Sequence, residues 1–279
     1  MQGKTVLITG GNSGIGLAAA HDFAARGARV CIACRDQAKA RQALAEIRAR
    51  TPGAELELYS LDLASFDRIR RFTGEFLAAH PVVDVLVNNA GAYITQHRHT
   101  EDGFEMTIGA NTLGPILLTE LLLPALEKSD DGRIVHLASM AHLAGSIDFD
   151  SFRERRPYFA FPAYAQSKLG NLLYSNALAR RTRVTSNAIH PGAVASPLYR
   201  ELPSLLYASF RWALISPEQA GKLIADLGLS AQHRATTGAY LAAQPPGYAS
   251  RRARDVALQD CFYEQCCELV GVPPRPLLR

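Results

Sequence analysis

Thr9-Gly10-Gly11-Asn12-Ser13-Gly14-Ile15-Gly16 follows the β-prone run Thr5-Val6-Leu7-Ile8 and precedes Leu17-Ala18-Ala19-Ala20, which opens a helix. Strand, glycine turn and helix in that order have physical meaning. Glycines permit a tight turn and close backbone approach, and the free N–H groups of the first helical turn attract a pyrophosphate. A glycine-rich turn can be purely structural, but at this junction it predicts a dinucleotide site. Gly10, Asn12, Ser13, Gly14, Ile15 and Gly16 are its candidate contacts.

Outward from this loop, β-rich runs alternate with helical stretches. Thr5 to Thr9, Ala28 to Cys34, Leu56 to Tyr59, Val83 to Val87, Arg133 to Ala138 and Val184 to Ile189 read as strands. Apolar-periodic segments over 15–27, 36–50, 65–80, 103–128 and 162–181 read as helices. The strands around Val85 and Ile134 are apolar almost throughout, as expected when both faces of a sheet are covered. The expected fold is α/β: a single Rossmann-type, doubly wound parallel sheet with helices on both faces. A length of 279 residues suits one such domain, 1–279.

The second strand ends in Cys34-Arg35-Asp36. An acidic residue at this tip accepts hydrogen bonds from the adenosine ribose, whereas an arginine accommodates a 2′-phosphate. With Cys34 in the acid's place and Arg35 next, NADP(H) is the expected cofactor and NAD(H) the alternative. A solvated Arg–Asp pair is the non-functional reading. Asp62 and Leu63, after the third strand, are placed to meet the adenine edge.

Tyr164-Ala165-Gln166-Ser167-Lys168 puts a phenol and an ammonium four residues apart on one helix face. Such pairs usually decorate surfaces. Here chemistry gives the pair another meaning: a carbonyl reduced by hydride needs a proton donor, and a phenol works better when a nearby cation stabilises its phenolate.

Six motifs now stand in order: the Thr9–Gly16 loop, Asn88-Asn89-Ala90-Gly91, Asn111 in Gly109-Ala110-Asn111-Thr112, Ser139, Tyr164 to Lys168, and Pro191-Gly192. Together they resemble the short-chain dehydrogenase/reductase family. Ala33 to Asp36, Ala141-His142 through Gly145 to Phe149, Ala163 to Asn171 and Ser216-Pro217-Glu218-Gln219 narrow the resemblance to its retinol dehydrogenase and protochlorophyllide reductase-like branch. The resemblance implies an oxidoreductase that interconverts a carbonyl and an alcohol. It makes Tyr164 the proton donor and acceptor, with Lys168 lowering its pKa and binding the nicotinamide ribose. It has Ser139 hold the substrate oxygen and Asn111 support a water-linked relay to Lys168. Asn89, Ala90 and Gly91 line the cofactor, and Pro191, Gly192, Val194 and Ser196 meet the carboxamide side. Three departures from the family pattern stand out: Ser196 stands for Thr, His136 and Ala138 precede Ser139, and Pro115 interrupts a helical stretch, where it should remove an N–H and bend the helix.

Leu143, Phe149, Phe152, Tyr158, Phe159 and Phe161, with the aromatic-rich stretch of about 197–216, read either as an apolar pocket under a mobile lid or as structural packing. On the first reading the partner expected is a fairly bulky apolar small molecule. A net charge of +4, spread without a basic block, implies no nucleic acid. Met1-Gln2-Gly3-Lys4 runs straight into a strand, and no stretch reaches the roughly 20 uninterrupted apolar residues that span a bilayer, so a cytoplasmic protein without stable membrane insertion is expected. Homo-oligomerisation stays open. Cys31 and Cys34 point to opposite strand faces, and Cys261, Cys266 and Cys267 lack a completing His, so buried inert thiols and no metal are expected. Two competing functions are a catalytically silent dinucleotide-binding regulator and a membrane-surface dehydrogenase of retinoid or lipid type.

Overall fold

The computed structural model describes residues 3–192, 216–243 and 247–278. Seven parallel strands form one sheet: β1 (Thr5–Thr9), β2 (Arg29–Cys34), β3 (Leu56–Ser60), β4 (Val85–Asn88), β5 (Arg133–Leu137), β6 (Thr185–His190) and β7 (Tyr240–Ala242), in the order β3-β2-β1-β4-β5-β6-β7. The order reverses between β1 and β4. At such a switch point the two flanking crossovers diverge and leave a crevice beyond the strand ends.

The period of two in the strands sorts side chains between two cores. Leu7, Cys31, Ala33 and Leu86 join one face; Val6, Ile8, Val30, Ile32, Cys34, Val85 and Val87 join the other. The second face is covered by α1 (Gly14–Ala25), α2 (Gln37–Arg50) and α7 (Pro217–Leu229). A Cβ on Gly221 would lie 2.5 Å from the Ala18 carbonyl carbon, so α7 meets α1 backbone to backbone. The first face carries α3 (Phe66–Ala79), the short α4 (Met106–Ile108), α5 (Gly114–Leu126) and α6 (Ala160–Leu178). After α8 (Arg251–Arg254), α9 (Val256–Leu269) lays Phe262, Tyr263, Cys266 and Cys267 against this same layer.

The six expected strands are present within a few residues. The helix expected over 103–128 is instead composite: α4, a π turn over Gly109–Leu113 and α5. Pro115 sits in the first turn of α5, where a missing N–H is tolerated, and the wider π turn before it absorbs the irregularity. Contrary to expectation, Met106–Leu126 is by length and composition apolar enough to cross a membrane. Most of it is buried among the other elements, as in the core helix of a globular domain. Strand β7 and helices α7 to α9 escaped the sequence reading. Ser216, assigned to the lid, instead forms a capping box with Gln219 at the start of α7. The rest of the lid, 197–215, lies outside the described residues, as do Val194 and Ser196.

Among the cysteines, Cys31, Cys34, Cys266 and Cys267 are buried as expected, with Cys31 and Cys34 on opposite sheet faces. Cys261 is exposed, since it falls on the outer side of α9.

Candidate active site

The strand ends at the switch point open into a cleft of about 720 Å³. One end is the glycine loop: Gly10, Asn12, Ser13, Gly14 and Ile15 line it. Gly10 and Gly14 adopt φ of 67° and 54°, a left-handed conformation that favours glycine. Ser13, at the N-cap of α1, makes no side-chain cap bond, so these first-turn N–H groups are not claimed by their own cap. Gly16 does not line the cleft. A Cβ there would lie 2.4 Å from Asn89 Nδ2, so Gly16 serves close packing instead. Asn89 in turn donates from Nδ2 to the carbonyls of Thr9 and Gly10, at 2.8 and 3.2 Å, and straps the loop to the end of β4.

Cys34, Arg35, Asp36, Leu61, Asp62 and Leu63 line the same cleft beyond β2 and β3. The Arg35–Asp36 pair is divided by its local roles. The Asp36 carboxylate accepts from Lys39 N at 2.9 Å as the N-cap of α2, while Arg35 is exposed. The Asp62 carboxylate accepts from Ala64 N at 3.0 Å and holds its own loop.

Ala90, Gly91, Asn111, Leu137, Ala138, Tyr164, Lys168 and Pro191 line the other end. Helix α6 presents Tyr164 and Lys168 one turn apart, and Lys168 Nζ lies 5.5 Å from the Tyr164 ring centroid. Lys168 is buried, and Nζ donates to the Leu137 carbonyl at 3.1 Å. Burial pushes its pKa down from 10.5 to about 8, because a low-dielectric surrounding disfavours the ammonium. It therefore remains largely protonated near neutral pH.

Asn111 sits in the π turn, a common location for functional irregularities. Its side chain is fully engaged: Oδ1 accepts from Ala92 N and Nδ2 donates to Ala92 O, both at 2.8 Å, with Ser167 Oγ 3.4 Å from Nδ2. This amide clamps the segment after β4, which leaves the backbone carbonyl as the group with which Asn111 would support a water-linked relay. Pro115 has no N–H to offer the Asn111 carbonyl four residues earlier, which directs attention to that carbonyl.

Ser139 and Gly192 are not among the cleft-lining residues, although each adjoins one, Ala138 and Pro191 respectively. Ser139 is half-buried, and its Oγ accepts from Ala141 N at 3.2 Å. Gly192 has φ 89° and turns the chain after β6. Of the insertion residues, Phe149 and Phe152 pack on Phe262 in the core, Tyr158 donates to the Ile94 carbonyl at 2.7 Å, and Phe159 and Phe161 are exposed. With Leu143, none of these lines the cleft, which corrects the pocket expected from composition.

The structure adds residues that sequence reasoning missed. Tyr93, Ile94, Thr95, Met106, Ala110 and Pro217 line the cleft, and the Tyr93 ring meets Tyr164 edge-on at 5.5 Å. His142 braces the turn behind Ser139: Nδ1 lies 2.6 Å from the Ser139 carbonyl and Nε2 3.2 Å from Ser250 N. Only a neutral ring protonated at Nδ1 can donate to the first and accept from the second. Burial lowers its pKa, in keeping with that form, against a smaller opposing effect of the Ser139 bond. His136 likewise bridges Asn88 Nδ2 and Ser186 Oγ at 3.3 Å each, and burial lowers its pKa to about 3. It is an uncharged core link, so its departure from the family pattern leaves the cleft untouched.

The profile of the short chain dehydrogenase family matches residues 4–204. Mouse Retinol dehydrogenase 12 (Mus musculus) is 40% identical over 275 residues, 97% of this chain and 87% of the relative. Human Retinol dehydrogenase 13 (Homo sapiens) is 38% identical over 97% of this chain and 85% of its own length. A crystal structure of an uncharacterized protein from Mycobacterium Paratuberculosis superposes with TM-score 0.75 at 32% identity, over 99% of this chain and 96% of that one. A short chain dehydrogenase from Shigella flexneri complexed with NADP gives TM-score 0.70 at 25% identity, over 88% and 98%. A cleft at the switch point, a Tyr–Lys pair on α6 and this likeness over nearly the whole chain converge: the protein is an oxidoreductase of the short-chain dehydrogenase/reductase family, on its retinol dehydrogenase branch.

Proposed function

We propose that the protein uses NADP(H) to interconvert a carbonyl and a primary or secondary alcohol on a fairly bulky apolar small molecule. The observation that carries the cofactor preference is the division of labour at the tip of β2: Asp36 is spent on capping α2, which leaves exposed Arg35 as the group facing a 2′-phosphate. The NADP complex of the Shigella flexneri relative supports the same choice. Tyr93, Ile94, Ala92 and Met106 make the cleft apolar near Tyr164, and the relatives named as retinol dehydrogenases act on an alcohol of that kind. This supports a small-molecule partner.

The glycine loop and the uncapped start of α1 fit a pyrophosphate, and Lys168 stands beside the place for a nicotinamide ribose. When bound, the nicotinamide supplies or accepts the hydride. Tyr164 Oη gives a proton to the carbonyl oxygen in reduction and takes it back in oxidation. The buried Lys168 ammonium stabilises the phenolate left behind. Ser139 Oγ holds the substrate oxygen in register. Water at the Asn111 carbonyl would return a proton through Lys168, while the Asn111 amide keeps the Ala92 segment in place.

The test pairs two measurements. Arg35→Ala should weaken NADPH binding about 10- to 100-fold, the range for a charge-assisted contact, and leave NADH binding unchanged. In a carbonyl panel with NADPH, bulky apolar aldehydes and ketones should show higher kcat/KM than small polar ones. Equal loss for both cofactors would overturn the Arg35 assignment, and a preference for small polar carbonyls would overturn the substrate class.

A further inference from the structure

Away from the cleft, Cys31, Glu57 and His80 converge on the sheet face that α3 covers, with Sγ, a carboxylate oxygen and a ring nitrogen all within 4.8 Å of one another. Three elements build the cluster. Cys31 on β2 is the direct register partner of Glu57 on β3, Tyr59 follows Glu57 on the same face, and His80 caps the C-terminus of α3. His80 Nε2 faces Tyr59 Oη at 2.9 Å, Glu57 Oε2 at 3.0 Å and Cys31 Sγ at 3.9 Å. A ring nitrogen has one in-plane position, either a lone pair or a hydrogen, so it cannot satisfy three such neighbours at once. The Tyr59 hydroxyl already gives its proton to Glu57 Oε2, and a cation among the other three groups would take the sulfur, the carboxylate oxygen and the ring nitrogen together.

The geometry points to a zinc-binding site formed by Cys31 Sγ, His80 Nε2 and Glu57 Oε2. Zn–S near 2.3 Å with Zn–N and Zn–O near 2.0–2.2 Å implies ligand–ligand edges of roughly 3.3–3.6 Å in a tetrahedron. The separations from Nε2, 3.0 and 3.9 Å, bracket that range, and side-chain rotation closes the remaining gap between Sγ and the carboxylate. The charges match: a thiolate, a carboxylate and a neutral imidazole together balance Zn²⁺, with the Cys31 proton released to solvent. A thiolate and an imidazole together favour zinc over magnesium or calcium.

The surroundings are those of a built site. Cys31 and His80 are buried, and the ring of Phe76 packs on His80 and Tyr59. Tyr59 Oη donates to Glu57 Oε2 at 2.6 Å and orients the carboxylate from outside. Arg29 approaches the other oxygen, Oε1, at 3.7 Å, so Oε2 is the one turned to His80. The half-exposed Glu57 gives the ion a path in and leaves the fourth position to water. Cys34 at the end of β2 with Arg35 just after it, and Leu61 and Asp62 beyond β3, line the cleft only a few residues further on. Zinc here ties β2, β3 and α3 together behind the adenosine end of the cleft and takes no part in hydride transfer.

The experiment uses full-length protein stripped with a chelator and titrated with Zn²⁺ against a chromogenic competitor, then with Co²⁺ as a spectroscopic probe. Expected are one tight site per chain, a thiolate-to-cobalt charge-transfer band with the intense d–d absorption of four-coordinate Co²⁺, and a melting temperature that rises with zinc. Cys31→Ser and His80→Gln should each weaken zinc binding by more than about 100-fold, beyond the usual effect of losing a group that only orients a ligand. Cys261→Ser, which removes the exposed thiol, should bind as wild type does. Absence of a thiolate band in wild type, or its loss in Cys261→Ser rather than Cys31→Ser, would overturn the site. The wild-type cobalt spectrum decides the matter even where a ligand variant fails to fold.

Discussion

Replacing Lys168 by Met should stabilise the fold while abolishing activity. Lys168 is 4% exposed, and its fall from 10.5 to about 8 measures how much burial disfavours the ammonium. At 1.36 kcal/mol per pKa unit, this costs the folded chain about 3 kcal/mol at pH 7, where both folded and unfolded states carry the proton. Methionine follows a similar path through the helix packing without a charge. It loses the bond to the Leu137 carbonyl, worth about 1 kcal/mol, but that oxygen still accepts from Asn171 Nδ2 at 3.2 Å. The net gain is about 2 kcal/mol, or roughly 4–8 °C in Tm for a chain of this size. The sign with pH is definite. A depressed lysine pKa makes the cost full below about 8 and lets it vanish as pH rises to 10.5, because over that window only the unfolded chain holds the proton. The advantage of Lys168→Met should therefore shrink across the same window. Thermal or urea unfolding of cofactor-free protein at pH 7 and pH 10.5 measures this, alongside turnover, which should fall at least about 10²-fold. A variant no more stable than wild type at pH 7, or one with the same margin at both pH values, would refute the idea that this cation is held against its solvation preference for the sake of chemistry.

Tyr164→Phe should leave cofactor affinity nearly unchanged and lower kcat by at least about 10²-fold, since it deletes only the proton-transferring hydroxyl; near-wild-type single-turnover rates would remove Tyr164 from that role. His142→Phe keeps the edge contact with Tyr240 but deletes the bonds to Ser139 and Ser250, so kcat should fall about 10- to 100-fold while NADPH affinity holds, the scale expected when a reacting group is displaced. His142→Asn, which can still donate to the Ser139 carbonyl, should recover part of the loss. Equal kcat in both variants would show that the brace does not position Ser139.

Much of the fold was legible because its signals are local. Six strands and the glycine loop follow from short apolar runs and from glycines that need a left-handed φ, and Tyr164 and Lys168 follow from helical spacing. Other features depend on what arrives from elsewhere in the chain. Gly16 reads as a cofactor contact until Asn89 is seen filling the space above it. Phe149 and Phe152 read as pocket residues until α9 brings Phe262 against them. That the Asn111 amide is spent on both the N–H and the carbonyl of Ala92 is visible only once the segment after β4 is packed against the π turn.

The chain's own pattern determined the parallel sheet, the place of the glycine loop after β1 and the pairing of Tyr164 with Lys168, because periodicity, turn chemistry and i,i+4 spacing act within a few residues. Only the tertiary structure decided that Asp36 is withdrawn into a cap beside an exposed Arg35, that Lys168 is buried deeply enough to lose proton affinity, and that Cys31, Glu57 and His80 face one another. Desolvation and the convergence of side chains depend on which distant segments pack together, and no local stretch of sequence carries that information.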